Sequence, residues 1–292
     1  MATFKSRYER MGFPMLSKKL GCVFALAVLP ALAQVPSGAT SPQNESVIVP
    51  RQHAPRRAYP GTSPRVIENV TVSDSTNWSG YAVTGSSFTT AKASWIIPTV
   101  TCSKTPNTYS SFWVGLDGWT SSTVEQTGTD SDCNGSSPSY YAWYEFYPKG
   151  SVLISSVPVS PGNKMEAQVV YSGSEFTITI TNETTGKSFS KSSTVRGAAR
   201  SSAEWIAEAP CCTNAGGILP LSDFGTVDFG DDYTGIGSTN DATDSSTSGA
   251  IGAFGSNIQE AIMVNGNTGA NEAVPSGLSS DGTSFTVTWD SE

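Results

Sequence analysis

Apolar and polar residues alternate along most of the chain from Asn77 onward. Ala91, Ala93, Trp95 and Ile97 follow this period of two, as do Met165, Ala167, Val169 and Tyr171, and again Phe285, Val287 and Trp289. Such a period sends successive side chains to opposite faces of a strand. FTITITNETTGKSFS predicts a hairpin, with Phe176, Ile178 and Ile180 alternating before a turn at Asn182 to Gly186 and a returning strand. No window carries a sustained helical repeat with caps. Gly, Ser, Asn and Asp recur between the alternating runs, which predicts an all-β sandwich of long strands. The polar stretch DDYTGIGSTNDATDSSTSGAIGAFGSN, residues 231 to 257, is expected to be a long mobile loop.

The start of the chain follows a different pattern. Lys5, Arg7, Arg10, Lys18 and Lys19 precede the apolar run LGCVFALAVLPALA and the small-residue pattern Ala31-Leu32-Ala33, the signature of a secretory signal peptide over residues 1–33. The run is short and broken by Pro30, so no membrane span is expected. Residues 34–76, rich in Pro, Ser, Arg and Gln, read as a propeptide or linker. Within them RQHAPRRAYP reads as a solvated or removable leader. Its basic character suggests either a cover over an acidic surface that delays activity, or a disordered spacer. Residues 77–292 form the one expected domain.

Charge and composition narrow the chemistry. Residues 77–292 hold eight Lys/Arg against 21 Asp/Glu. A surface of that sign repels polyanions and excludes nucleic acid as a partner. It fits an acidic working pH, and equally a surface acidic for solubility. The single histidine, His53, lies outside this domain, which excludes nucleophile systems and most zinc sites that need an imidazole. Four cysteines follow the signal. Cys102 and Cys133 sit in polar loops flanking the same strand-rich stretch and are expected to pair, leaving Cys211 and Cys212 as a vicinal disulfide or as two thiols. Four-cysteine zinc lacks the usual C-x-x-C spacing, and no metal or cofactor is expected.

Strand alternation sorts the remaining polar residues. In YYAWYEFYP, Trp143, Glu145 and Tyr147 share a face; in SFWVGLDGW, Trp113 and Asp117 share one; in SAEWIAE, Ser202, Glu204, Ile206 and Glu208 point together. A face that mixes rings and acids suits a cleft for an extended polymer.

Five segments, NWSGY (77–81), FWVGLDGW (112–119), EQTGTD (125–130), YAWYEFYP (141–148) and AEWIAE (203–208), resemble those of the glutamic peptidases, the eqolisins. LPLSDFGTVDF (219–229) and SFTVTW (284–289) are similar too. The resemblance implies a concanavalin A-like sandwich of two antiparallel sheets and a secreted endopeptidase working on polypeptides in acid. It implies Gln126 and Glu204 as the catalytic dyad. Elementary chemistry agrees with a carboxyl and an amide: the first can be base and then acid in acidic solution, and the second can hold water and donate to an oxyanion. Glu145, Asp117 and Asp130 match acidic positions of the motifs and are expected to orient the dyad or tune its protonation. Trp113, Trp143 and Tyr147 are expected to line substrate subsites or to pack. Glu125 should point away from Gln126. The Cys211-Cys212 pair and the GGILPL run depart from the fungal pattern and bear on how the loop after Glu204 closes the cleft.

Two other functions fit the same residues in part. A glycoside hydrolase would use Glu145 and Glu204 as its acid pair. A lectin-like module would use the rings without turnover. Neither gives Gln126 a task. The protein is expected to be a monomer.

Overall fold

A computed structural model of the protein describes residues 50–212 and 217–291. The signal segment and residues 34–49 of the predicted leader lie outside the described residues. Two sheets pack face to face. The front sheet runs, in spatial order, Val152–Ile154, Ser137–Tyr147, Val124–Asn134, Ser111–Leu116, Ser202–Glu208, Trp78–Thr84 and Ile258–Val264, all antiparallel. The back sheet runs Lys187–Ser193, Glu175–Asn182, Lys164–Ser172, Thr90–Ile96, Thr226–Phe229, Phe285–Trp289 and Asn271–Pro275. Asn271–Pro275 also pairs with the end of Ile258–Val264 across a bulge at Met263/Val264, and this joins the sheets at one edge.

The predicted alternation sets the core. Val83, Phe112, Val114, Leu116, Ala203, Trp205 and Ala207 point inward from the front sheet, and Trp95, Met165, Ala167, Val169, Ile178, Phe229, Phe285 and Val287 meet them from the back. Fully burying side chains of this size contributes about 1.5–3 kcal/mol each, so this layer dominates stability. The 175–193 hairpin forms as predicted, with Phe176 opposite Ser193 and Asn182 opposite Lys187. Cys102 is bonded to Cys133, tying the loop after Thr90–Ile96 to the end of Val124–Asn134, and Cys211 is bonded to Cys212.

Three expectations need correction. Residues 231–257 are not one mobile loop: they hold a short helix at Asp231–Thr234, a hairpin of Asp241–Thr243 with Ser248–Ala250, and a 3-10 segment at Ile251–Asn257. Ala242, Ile251 and Phe254 are buried and anchor it. The end of the predicted leader is part of the fold, because Val70–Ser75 pairs with Ile258–Val264, in parallel, and with Arg65–Ile67. The RQHAPRRAYP segment is not solvated: His53 is fully buried. Among the described residues no helix is long and apolar enough to cross a membrane.

Candidate active site

The outer face of the front sheet carries a second apolar cluster, built on Trp78, Trp113, Trp119, Trp143 and Ile206. Strand register lays its side chains out in three rows. Glu145, Gln126, Gly115, Glu204 and Ala82 form the first row; Trp143, Gly128, Trp113, Ile206 and Gly80 the second; Tyr141, Asp130, Ser111, Glu208 and Trp78 the third. The shared face anticipated for Trp113, Trp143, Glu145, Glu204 and Glu208 is therefore present, with Gln126 and Asp130 on it. Glycine makes the middle row passable. A Cβ on Gly128 would lie 2.4 Å from the Phe112 carbonyl and 2.5 Å from Trp113 Cβ, so only glycine lets Trp113 lie against this strand. Trp78 meets Trp113 edge-on, with centroids 4.9 Å apart.

Residues 50–59 run through this groove as an extended strap. Gln52 exchanges two backbone hydrogen bonds with Cys211, at 2.9 and 2.8 Å. Downstream, the Arg56 amide donates to the Gly118 carbonyl, the Arg57 amide to Asn77 Oδ1, and Asn77 Nδ2 to the Pro55 carbonyl. His53 lies between these anchors. Its amide donates to Glu145 Oε2 at 3.0 Å, and its carbonyl accepts from Gln126 Nε2 at 3.0 Å. Its imidazole stacks on Trp143 with centroids 3.6 Å apart, Nδ1 lies 3.3 Å from Glu208 Oε2, and Nε2 lies 3.8 Å from Asp130 Oδ1. Arg51 lies over Tyr109 and Arg56 over Trp119.

Gln126 is held from one side. Its Nε2 donates to Glu145 Oε2 at 3.0 Å, while Oε1 has no hydrogen-bond partner among the described residues. Glu208 Oε2 accepts from Trp113 Nε1 at 2.8 Å, and its Oε1 is likewise without a partner. Burial raises the Glu208 pKa well above the usual carboxylate range; Glu145 and Asp130 push the same way, and the Trp113 indole opposes them. Glu145 is raised mainly by burial, against the donors from His53 and Gln126. Asp130 accepts from Tyr141 Oη at 2.7 Å, and Asp132 accepts from the same hydroxyl at 3.0 Å; burial raises both carboxyls.

Glu204 has different company. It is fully buried, and the carboxyls that raise its pKa beyond the effect of burial are Asp117 and Glu125. Ser202 and the Trp119 amide lie beside it without closing a hydrogen bond. Gly115 and its strand separate it from Gln126, about 10 Å between backbones at a strand spacing of about 4.8 Å. Asp117 lies beyond the regular strand, with φ at 69°. Its carboxylate accepts from the Arg200 and Ser201 amides at 2.6 and 2.9 Å, so it fixes the turn that enters Ser202–Glu208. Glu125 faces the other way from Gln126, as expected, and burial with Asp117 nearby pushes it up to about 9. Tyr147 packs half-buried at the edge of the outer apolar cluster.

The structure thus brings Gln126, Glu145, Asp130 and Trp143 together around one strap residue, with Trp113 one hydrogen bond away through Glu208. Glu204 and Asp117 belong to a separate cluster. Sequence reasoning missed His53, and it placed Glu208 on the right face without giving it a role. The signal for Glu208 was its four-residue spacing from Glu204 on one strand face. An open cavity of about 610 Å³, lined by Thr76, Leu219, Leu221, Asn265 and Glu272 among others, contains none of these groups.

A family model described as the Peptidase A4 family matches residues 76–288. Aspergillopepsin-2 of Aspergillus niger is 28% identical over 235 residues, covering 72% of this chain and 82% of that protein. Scytalidopepsin B of Scytalidium lignicola is 33% identical over 165 residues, covering 53% and 62%. A crystal structure of scytalido-glutamic peptidase with a transition state analog inhibitor superimposes with a TM-score of 0.61 at 25% identity, covering 74% of this chain and 98% of that one.

Proposed function

The chain belongs to the peptidase A4 family of peptide-bond hydrolases, and from that premise we propose that it is an exported acid endopeptidase in which Gln126 and Glu208 carry the chemistry. One observation supports this pairing above others: a single peptide unit lying in the groove, that of His53, touches Gln126 with its carbonyl and Glu208 with its side chain. Glu204, the partner that the motif suggested for Gln126, shares its row of the sheet but has Asp117 and Glu125 as its charged neighbours.

The roles follow from donor and acceptor chemistry. Gln126 Nε2 donates to a substrate carbonyl and to the oxyanion that develops on it, and Glu145 holds the amide with its NH2 toward the substrate. Glu208 takes a proton from the attacking water and returns it to the departing amine. Its enclosed site makes it a retentive proton carrier, suited to the second step. When the strap leaves and water enters, desolvation weakens and the carboxyl falls back toward the acid range, where it can also act as base. Asp130, Tyr141 and Trp113 are positioning residues: Trp113 fixes the Glu208 carboxyl, and Asp130 faces the same imidazole from the opposite side.

A glycosidase pairing of Glu145 with Glu204 is disfavoured, since two strands stand between them and Glu145 is engaged by Gln126 and His53. Export accords with two disulfides in a chain of this size. All groups named come from one chain, so the site needs no second copy. Digestion of a denatured protein between about pH 2 and 7, with product mapping, tests the reading. Internal peptide bonds should be cut in acid; release of sugar fragments from polysaccharide with no peptide cleavage would overturn it.

A further inference from the structure

The groove has a wall that the chemistry at Gln126 and Glu208 does not use, at the bonded pair Cys211 and Cys212. The chain reaches it directly from Glu208: the Ala209 amide donates to the Asn77 carbonyl, and the Pro210 carbonyl accepts from the Leu219 amide at 2.9 Å. Cys211 then lies between two antiparallel partners, Ile218 on one side and Gln52 of the strap on the other. The Gln52 amide donates to the Cys211 carbonyl at 2.9 Å, and the Cys211 amide donates to the Gln52 carbonyl at 2.8 Å. Gln52 directly precedes His53, whose carbonyl accepts from Gln126 Nε2 at 3.0 Å. Cys212 Sγ lies 3.7 Å from Gln52 Oε1, but a disulfide sulfur has no S–H to donate, so this contact does not read the side chain.

We propose that Cys211 and Cys212 form a positioning element for substrate: the Cys211 backbone pairs with the residue just before the one that bears the scissile carbonyl, and the bond between the two sulfurs holds that edge in place. This rests on the reading of the site given above, with Gln52 standing in for a substrate residue. Hydrogen bonds to both the amide and the carbonyl of one residue fix the direction of the bound chain and its register. A peptide displaced by one residue turns its N–H and C=O away from Cys211, because strand backbone alternates with a period of two. The pairing accepts any residue that has an amide proton, and proline there loses the donor.

The disulfide gives this edge its rigidity. A bond between neighbouring cysteines closes a small ring through their shared peptide unit, so the Cys211 carbonyl cannot turn independently of the sulfurs. The ring straddles the surface, with Cys211 1% exposed and Cys212 exposed. An edge already held in its bound shape loses little freedom when a peptide pairs with it, and binds more tightly for that reason. Two free thiols in the same place leave the edge to be ordered anew by each substrate. The two hydrogen bonds are made alike with substrate and with transition state, so their loss appears in KM and not in kcat. That separates this edge from Gln126 and Glu208, whose loss lowers kcat.

The test uses the full chain in acid and a peptide chosen from the mapped digest of a denatured protein. The peptide is made in three forms: all amide, with an ester replacing the amide of the second residue before the cut, and with an ester replacing the amide of the first. The second-residue ester removes the donor to Cys211, and the first-residue ester removes the donor to Glu145. On the unaltered enzyme the second-residue ester should raise KM about three- to tenfold, the usual worth of one hydrogen bond, with kcat within about twofold. In Cys211→Ser with Cys212→Ser, the all-amide peptide should show a similarly raised KM, and the second-residue ester should change it by less than about 1.5-fold. The first-residue ester should keep its full effect in both enzymes. Thermal melting confirms that the variant has folded. Partial reduction of the unaltered chain, with intact mass and peptide mapping confirming that only the Cys211 and Cys212 bond has opened, reaches the same state without a substitution. A second-residue ester cut with unchanged KM overturns this inference alone. So does a full ester effect that survives loss of the disulfide, or a fall in kcat with KM unchanged. A chain that cuts no peptide in any form overturns this inference and the peptidase assignment of the site together.

Discussion

The two ends of the strand Ser202–Glu208 carry the same side chain on the same face, yet they do different things. At its start, Glu204 sits near Asp117, Glu125 and the Trp119 amide, beside a turn that Asp117 holds closed. At its end, Glu208 sits with Trp113, Asp130 and Glu145 around the groove that the strap fills. Burial raises both carboxyls, so a shifted pKa does not separate them. What separates them is reach. A peptide in the groove meets Glu208 and Gln126 through one residue, whereas neither carboxyl oxygen of Glu204 has a hydrogen-bond partner among the described residues. Glu204 shares the row of Gln126 and Glu208 does not, so chemistry on this face is assigned by what the strap reaches, and not by the row or by the identity of the side chain.

The comparison can be broken most forcefully at Gln126. Gln126→Ala should lower kcat by about 10²- to 10³-fold, the usual cost of one oxyanion donor, with an unchanged thermal melting curve. A loss below threefold in hydrolysis assays would detach the groove from the reaction. Next in size is the pH dependence of folding. Glu125, Asp130, Asp132, Glu145, Glu204 and Glu208 all have raised values in the folded chain, so between about 4.5 and those values the folded state binds more protons than the unfolded one. Stability should therefore fall as pH rises through that window, by about 1.4 kcal/mol per pH unit for each proton of difference. His53, whose value is lowered by burial, opposes this below about 6.5 as one group against six. Urea midpoints at pH 4.5 and 7 check the sign; a higher midpoint at 7 would contradict it.

A finer test uses coupling between residues. Asp117→Asn combined with Glu204→Gln should deviate from additivity by about 0.5–3 kcal/mol in unfolding free energy, because the two belong to one cluster. Asp117→Asn with Glu208→Gln should add to within about 0.5 kcal/mol. Equal coupling for both pairs would erase the distinction between the two ends.

Much of this was legible in the chain. Period-two alternation was enough to place Trp113, Trp143, Glu145 and both glutamates of AEWIAE on one face, and the facing Val, Phe and Ala residues in the core, because a half-buried strand leaves that pattern wherever it pairs. Alternation says nothing about rows, however. Register alone sets Glu204, not Glu208, in the row of Gln126; which of the two meets a peptide held by Gln126 depends on the path of the strap, and that path leaves no periodic trace. Residues 231–257 looked like a solvated loop because three apolar anchors among many polar residues suffice to fix short elements. Val70–Ser75 escaped notice as a short strand whose partner lies far along the chain. His53 looked like part of a removable tail because its burial comes from the groove above it, not from its neighbours in sequence.

The most direct measurement is the pH–rate profile of Glu208→Gln beside that of Glu204→Gln, each acting on the same denatured polypeptide in acid. The account predicts that Glu208→Gln loses at least about 10²-fold in kcat/KM across the acid range, as removal of a general acid–base group should. It predicts that Glu204→Gln stays within about tenfold of the unaltered enzyme. An active Glu208→Gln beside an inactive, folded Glu204→Gln would contradict it.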